Sequence, residues 1–105
     1  MALQESGTSN ARSQQNLIEL ARRIAQEHGV PEDLALAIVQ QESSFNPDAK
    51  NEESGASGLM QLMPATAKSY GVTDPFHPVQ NLQGGMQFLS DLGRKYTWSE
   101  DGLPK

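Results

Sequence analysis

No cysteine occurs among the 105 residues, so there is no disulfide framework and no thiolate chemistry. That absence fits either redox compartment and does not locate the protein. Basic residues are few, 8 against 13 acidic, and they are scattered, which leaves a net charge of −5. Nucleic acid needs a basic footprint and is not an expected partner. No apolar run is long enough to span a membrane. Residues 1–10 also lack the charged start and apolar centre of a signal peptide. The chain is therefore read as a mature domain whose leader has been removed, with residues 1–13 as a tag, linker or disordered arm. His28 and His77 stand alone, without partners at metal-ligand spacing, so neither a metal nor a cofactor is expected. No segment alternates strongly enough to be a strand, and no serine has a His and an Asp placed for a triad.

What is present is helical periodicity. Leu17, Ile18, Ala21, Ile24 and Ala25 predict a helix over residues 14–28, with Gly29 as its C-terminal cap. Pro31 opens a second helix, and Glu32 and Asp33 complement its positive end. Leu34, Ala35, Ile38 and Val39 form its inward face, and Asn46-Pro47 ends it. Residues 48–57 are small, polar and aperiodic, and read as a loop. Pro64 opens a third helix that Gly71 closes. A fourth runs over residues 78–96, with Leu82, Met86, Leu89, Leu92 and Tyr96 on one face and Phe88 beside it. Gly84-Gly85 inside it costs roughly 1 kcal/mol per glycine against Ala. Close packing against the second helix is the expected compensation. Residues 14–105 thus form one all-α domain.

Glu42 breaks the pattern. It follows Leu34 and Ile38 at intervals of four, where the stripe asks for another apolar residue. A carboxyl closing an apolar stripe loses hydration, and the negative end of the helix dipole lies close by. Both effects favour the protonated acid that general-acid cleavage of a glycosidic bond requires. The bland alternative is a solvated charge at a helix end. Gly55 and Gly58 allow either a tight turn or close approach of a ligand. Gln61 can bind a sugar or cap a neighbouring helix. Met60 and Met63 suit core filling, and Tyr96 and Trp98 suit packing or sugar stacking.

Three stretches then carry a resemblance. They are Val39-Gln40-Gln41-Glu42-Ser43-Ser44-Phe45-Asn46-Pro47, Gly55-Ala56-Ser57-Gly58-Leu59-Met60-Gln61-Leu62-Met63-Pro64-Ala65-Thr66-Ala67, and Asp74-Pro75-Phe76-His77-Pro78-Val79-Gln80-Asn81-Leu82 followed by Gly84-Gly85. In this order the chain resembles the catalytic domain of the soluble-type lytic transglycosylases, which share a helical fold with goose-type lysozyme. The resemblance implies cleavage of the β-1,4 bond between N-acetylmuramic acid and N-acetylglucosamine in peptidoglycan, without hydrolysis, leaving a 1,6-anhydro end. It implies that Glu42 is the single catalytic acid and base. By the same likeness, Gln61 and Met63 match sugar-contacting positions, and Ser43 supports the helix end and the Glu. Glycan strands are the implied partner, and a bacterial cell envelope the implied location.

Two departures accompany it. The loop between the first two stretches is one residue longer than the family pattern, so its substrate-contacting serine falls to Ser54 or Asn51. The family's Ala-Tyr-Asn segment would follow residues 99–105, where the sequence stops. The fold is thus expected to be incomplete at its C-terminus, and the chain to be weakly active or inactive alone and prone to self-association, or completed by another segment. Two rival functions stand beside the transglycosylase. One is a goose-type lysozyme-like hydrolase, with Glu53 or Asp48 as second carboxylate. The other is a non-catalytic peptidoglycan-binding or assembly module.

Overall fold

The computed structural model describes the backbone of residues 2–95 and the side chains of residues 13–94. Tyr96, Trp98 and the residues after them lie outside that range. Four helices follow in order: α1 (Ala2–Glu27), α2 (Glu32–Ser43), α3 (Pro64–Ser69) and α4 (Pro78–Lys95). Two isolated antiparallel bridges, Lys50 with Ser57 and Ser57 with Leu62, are the β-type pairing among the described residues. None of the described helices is long and apolar enough to cross a membrane.

α1 starts at Ala2, earlier than the apolar periodicity predicts. Propagating a nucleated helix adds one hydrogen bond per residue, and no proline interrupts residues 2–27. Its core-facing part is where the pattern puts it. Ala21, Ile24 and Ala25 are buried, with Leu17, Ile18 and Leu20 packed beside them. The helix closes in a Schellman motif. The N–H of Val30 reaches the Ala25 carbonyl (2.9 Å) and that of Gly29 the Gln26 carbonyl (3.1 Å). Gly71 repeats the device after α3, with Val72 bonded to Ala67 at 2.8 Å and Gly71 to Lys68 at 3.2 Å.

Pro31 lies just outside α2, as its N-cap, because its ψ of 130° is extended. The buried ridge of α2 is Ala35 and Val39; Leu34 and Ile38 are only half-buried. The expected inward stripe is thus the flank of the helix, and Glu42 continues that flank. Asn46-Pro47 does not end α2. The helix stops at Ser43, because Ser44 (φ 53°) and Phe45 (φ 60°) are both left-handed. Two such residues in succession are costly for non-glycine side chains. Burial of the Phe45 ring offsets that cost.

Gly84-Gly85 also meets different neighbours from those expected. A Cβ on Gly84 would run into Val72, and one on Gly85 into Met60. The pair therefore lets α4 approach the turn after α3 and the 58–63 segment, not α2. Leu82 and Met86 complete the core from α4.

α3 and α4 are also joined by a polar contact. The Tyr70 hydroxyl donates to Asp91 at 2.7 Å, and the Gln87 amide donates to the same carboxylate at 2.9 Å. The hydrogen bond from Tyr70, then that from Gln87, holds the Asp91 carboxyl below the usual range. The same bond to Asp91, then burial, pushes the Tyr70 phenol above its ordinary value. A lowered carboxyl stabilises the fold above about pH 4 and loses that contribution as pH falls through its folded value. A raised phenol stabilises below about pH 10 and loses its contribution as pH rises further. Tyr70→Phe is accordingly expected to lower the melting temperature by a few degrees or less at pH 7. Thermal melts of the two proteins should converge as pH drops below about 4 or climbs past about 10. No gap at any pH would show that the ring, not the hydroxyl, matters.

Candidate active site

Glu42 is the penultimate residue of α2, at the negative end of that helix. Its side chain lines a cavity of about 330 Å³ but is itself exposed. The burial expected of it does not occur, because it sits on the flank of α2 and not on the Ala35–Val39 ridge. Ile38 adds the apolar wall one turn earlier, and Met60 and Leu62 come from the segment opposite. Phe88 and Leu89 close the α4 side. The result is one carboxylate on a mainly apolar cavity, within the size range of small-ligand sites. Among the described residues, no other acid lines it.

The segment that carries Gln61 is stapled into place. Ser57 and Leu62 exchange backbone hydrogen bonds at 3.1 and 3.0 Å, and the N–H of Gly58 donates to Ala49 at 2.8 Å. Gln61 itself is left-handed, with φ 49°. Its amide nitrogen donates to the carbonyls of Ala49 (3.0 Å) and Gly58 (2.9 Å). Both partners are acceptors, so the nitrogen is assigned by chemistry. Gln61 thus lines the cavity while its amide nitrogen clamps its own loop. Met63 reaches the cavity rim and is 47% exposed, a contact surface and not core.

Ser43 does not line the cavity. Its hydroxyl donates to the Leu59 carbonyl at 2.7 Å, with the Val39 carbonyl at 3.1 Å. It ties the end of α2 to Leu59, next to Met60 and Gln61 of the 58–63 segment. Ser54 is exposed and away from the cavity; its Oγ accepts the Ala56 N–H at 3.1 Å. Asn51 is likewise occupied, its Oδ1 accepting the N–H groups of Glu53 (2.9 Å) and Ser54 (3.1 Å). Both belong to the local turn. Asp48 and Glu53 are exposed and outside the cavity lining.

Asn81 is the residue sequence reasoning passed over. It is fully buried at the start of α4. Its Oδ1 accepts the Met60 N–H at 2.8 Å, and its Nδ2 donates to Ser57 (3.0 Å) and Pro75 (2.8 Å). A Cβ on Gly58 would strike the Pro75 carbonyl and the Asn81 amide. Gly58 is therefore required by close approach as well as by its φ of 82°. An asparagine on the buried face of a helix, beside Leu82, was the available signal.

The described residues thus form a small helical domain that holds one acid on a mainly apolar cavity, behind a glycine-bearing stapled loop. The chain belongs to the family described as the Transglycosylase SLT domain, whose model matches residues 19–100. Its fold is the all-α, lysozyme-like one of that family. It is 51% identical over 63 residues to a transglycosylase of Enterobacteria phage PRD1, covering 60% of this chain and 23% of that protein. It is 38% identical over 82 residues to membrane-bound lytic murein transglycosylase F of Desulfosudis oleivorans, covering 78% of this chain and 18% of that protein. To membrane-bound lytic murein transglycosylase C of Yersinia enterocolitica it is 40% identical over 90 residues, covering 75% of this chain and 25% of that protein. The chain thus spans about a quarter or less of the curated relatives it matches.

Proposed function

We propose that this domain is a peptidoglycan lytic transglycosylase and that Glu42 is its only acid–base group. The observation that carries the reading is that Glu42 is, among the described residues, the one carboxylate that lines the cavity. Hydrolysis by inversion or by a covalent intermediate uses a pair of carboxylates. Intramolecular transfer needs one. Glu42 donates its proton to the glycosidic oxygen, and the bond from that oxygen to C1 of N-acetylmuramic acid breaks. The resulting carboxylate takes the proton of the C6 hydroxyl, whose oxygen bonds to C1 and closes the 1,6-anhydro ring. Glu42 ends protonated, as it began, and no water is consumed.

A glycan strand laid over the cavity would cover the exposed Glu42 carboxyl, so the substrate supplies the water exclusion that the free domain lacks. Gln61 offers its amide oxygen to a sugar donor, and Met63 offers apolar surface at the rim. The relatives' names support murein as substrate and a bacterial cell envelope as location. The test is mass spectrometry of purified peptidoglycan after incubation with this chain. Fragments lighter by one water than hydrolysed muropeptides are expected. Ordinary reducing ends would instead establish a hydrolase and call for a second carboxylate.

A further inference from the structure

Phe88 is, among the described residues, the aromatic side chain on the Glu42 cavity. It is half-buried, so part of its ring remains available. It does not stand unsupported. The ring of Tyr70 meets it edge to face, with centroids 5.8 Å apart and planes at 64°. Tyr70 is in turn anchored through its hydroxyl to Asp91, which Gln87 and Arg94 also contact, at 2.9 and 3.3 Å. The supporting ring comes from the end of α3, and its anchor lies one turn beyond Phe88 on α4.

Such a buttress has a physical consequence. A free Phe side chain on a helix surface samples rotamers, and ordering it on binding costs affinity. Edge-to-face contact with a tethered Tyr restricts the ring before any ligand arrives. A pyranose has one face rich in C–H groups, and such a face packs on an aromatic ring through dispersion and weak C–H contacts. The other cavity walls, Ile38, Met60, Leu62 and Leu89, are aliphatic or thioether side chains and have no π face.

We infer that Phe88 is the sugar-stacking wall of the Glu42 cavity, taking the apolar face of a pyranose ring of the glycan strand, and that Tyr70 is its positioning residue. This rests on the glycan-cleaving reading for the nature of the ligand. It adds the residue that holds the ring and the one that sets its orientation.

Calorimetric binding of a soluble tetrasaccharide of alternating N-acetylglucosamine and N-acetylmuramic acid tests it, in the Glu42→Gln background so that turnover does not intrude. Phe88→Ala should weaken binding about 10-fold, and Phe88→Tyr should restore it. Tyr70→Ala should weaken binding about 3-fold or more, Tyr70→Phe should keep most of it, and Tyr70→Ala should add nothing once Phe88 is Ala. That last non-additivity separates positioning from general loosening of the fold, which would weaken binding in either background. Unchanged affinity in a folded Phe88→Ala protein overturns the inference, as does absence of binding by the parent. Full additivity of the Tyr70 and Phe88 changes overturns the positioning role. The catalytic reading is judged separately, by whether turnover requires Glu42. Phe88-dependent binding with Glu42-independent turnover would sink that reading alone.

Discussion

Glu42→Gln should lower peptidoglycan cleavage by about 10²–10⁴-fold while leaving the fold and glycan binding intact. Gln has nearly the shape of Glu but no proton to give to the leaving oxygen and no basic oxygen to receive one from C6. Both steps of the proposed reaction pass through this group, and among the described residues no other carboxyl lines the cavity to stand in for it. The side chain is exposed, and exposed substitutions remote from special features change stability by about 0.5 kcal/mol or less. Matched melting curves should therefore accompany the loss of rate. Release of soluble muropeptides over time gives the rate, and calorimetry gives the binding. Retained turnover in the variant would remove Glu42 from the chemistry. Lost turnover with a lowered melting temperature would mean that the substitution had damaged the fold.

The largest expected effect on stability is at Asn81. Asn81→Ala strands the Met60 N–H and the Pro75 carbonyl, takes one of two hydrogen bonds from the Ser57 carbonyl, and leaves a small void in a fully buried site. Unsatisfied buried groups cost about 1–3 kcal/mol each, and some regain water when the loop moves, so a net loss of about 3–5 kcal/mol is expected. A small domain has about 5–15 kcal/mol in total. Glycan binding should weaken as well, because Met60 and Gln61 sit on the segment that Asn81 holds. Asn81→Asp sharpens the test. Its carboxylate would point at two carbonyls in a buried site, so this variant should be least stable at neutral pH and recover as acid protonates it. Urea unfolding at pH 7 and pH 5 measures both effects. A cost under about 1 kcal/mol for Asn81→Ala would mean that the 57–60 segment holds itself in place.

The predictable features of this domain were governed by short-range rules. Gly29 and Gly71 cap their helices because a Schellman motif is completed within six residues. α2, α3 and α4 were legible from periodicity and proline placement. The family resemblance was legible because its three stretches keep their chemistry in order along the chain. Glu42 stood out as a carboxylate where the pattern asked for an apolar residue. The stripe that points to Glu42 is the flank of α2 and not its buried ridge. Counting in fours cannot distinguish the centre of a buried face from its edge, about 100° away, without knowing where the partner helices lie.

Local sequence was enough for the order of the helices, the glycine caps after α1 and α3, the family and the candidate acid. Tertiary structure decided which polar groups are spent on the scaffold and which remain for a ligand. Ser43 reaches Leu59, 16 residues on, and Asn81 reaches back 21 and 24 residues to Met60 and Ser57. Gly84 and Gly85 found Val72 and Met60 in place of α2. The Gln61 amide nitrogen is spent on the Ala49 and Gly58 carbonyls. Each outcome depends on contacts between segments far apart in the chain, so no local pattern encodes them. A hydrogen-bonding side chain satisfies whichever partner the packed fold brings within about 3 Å.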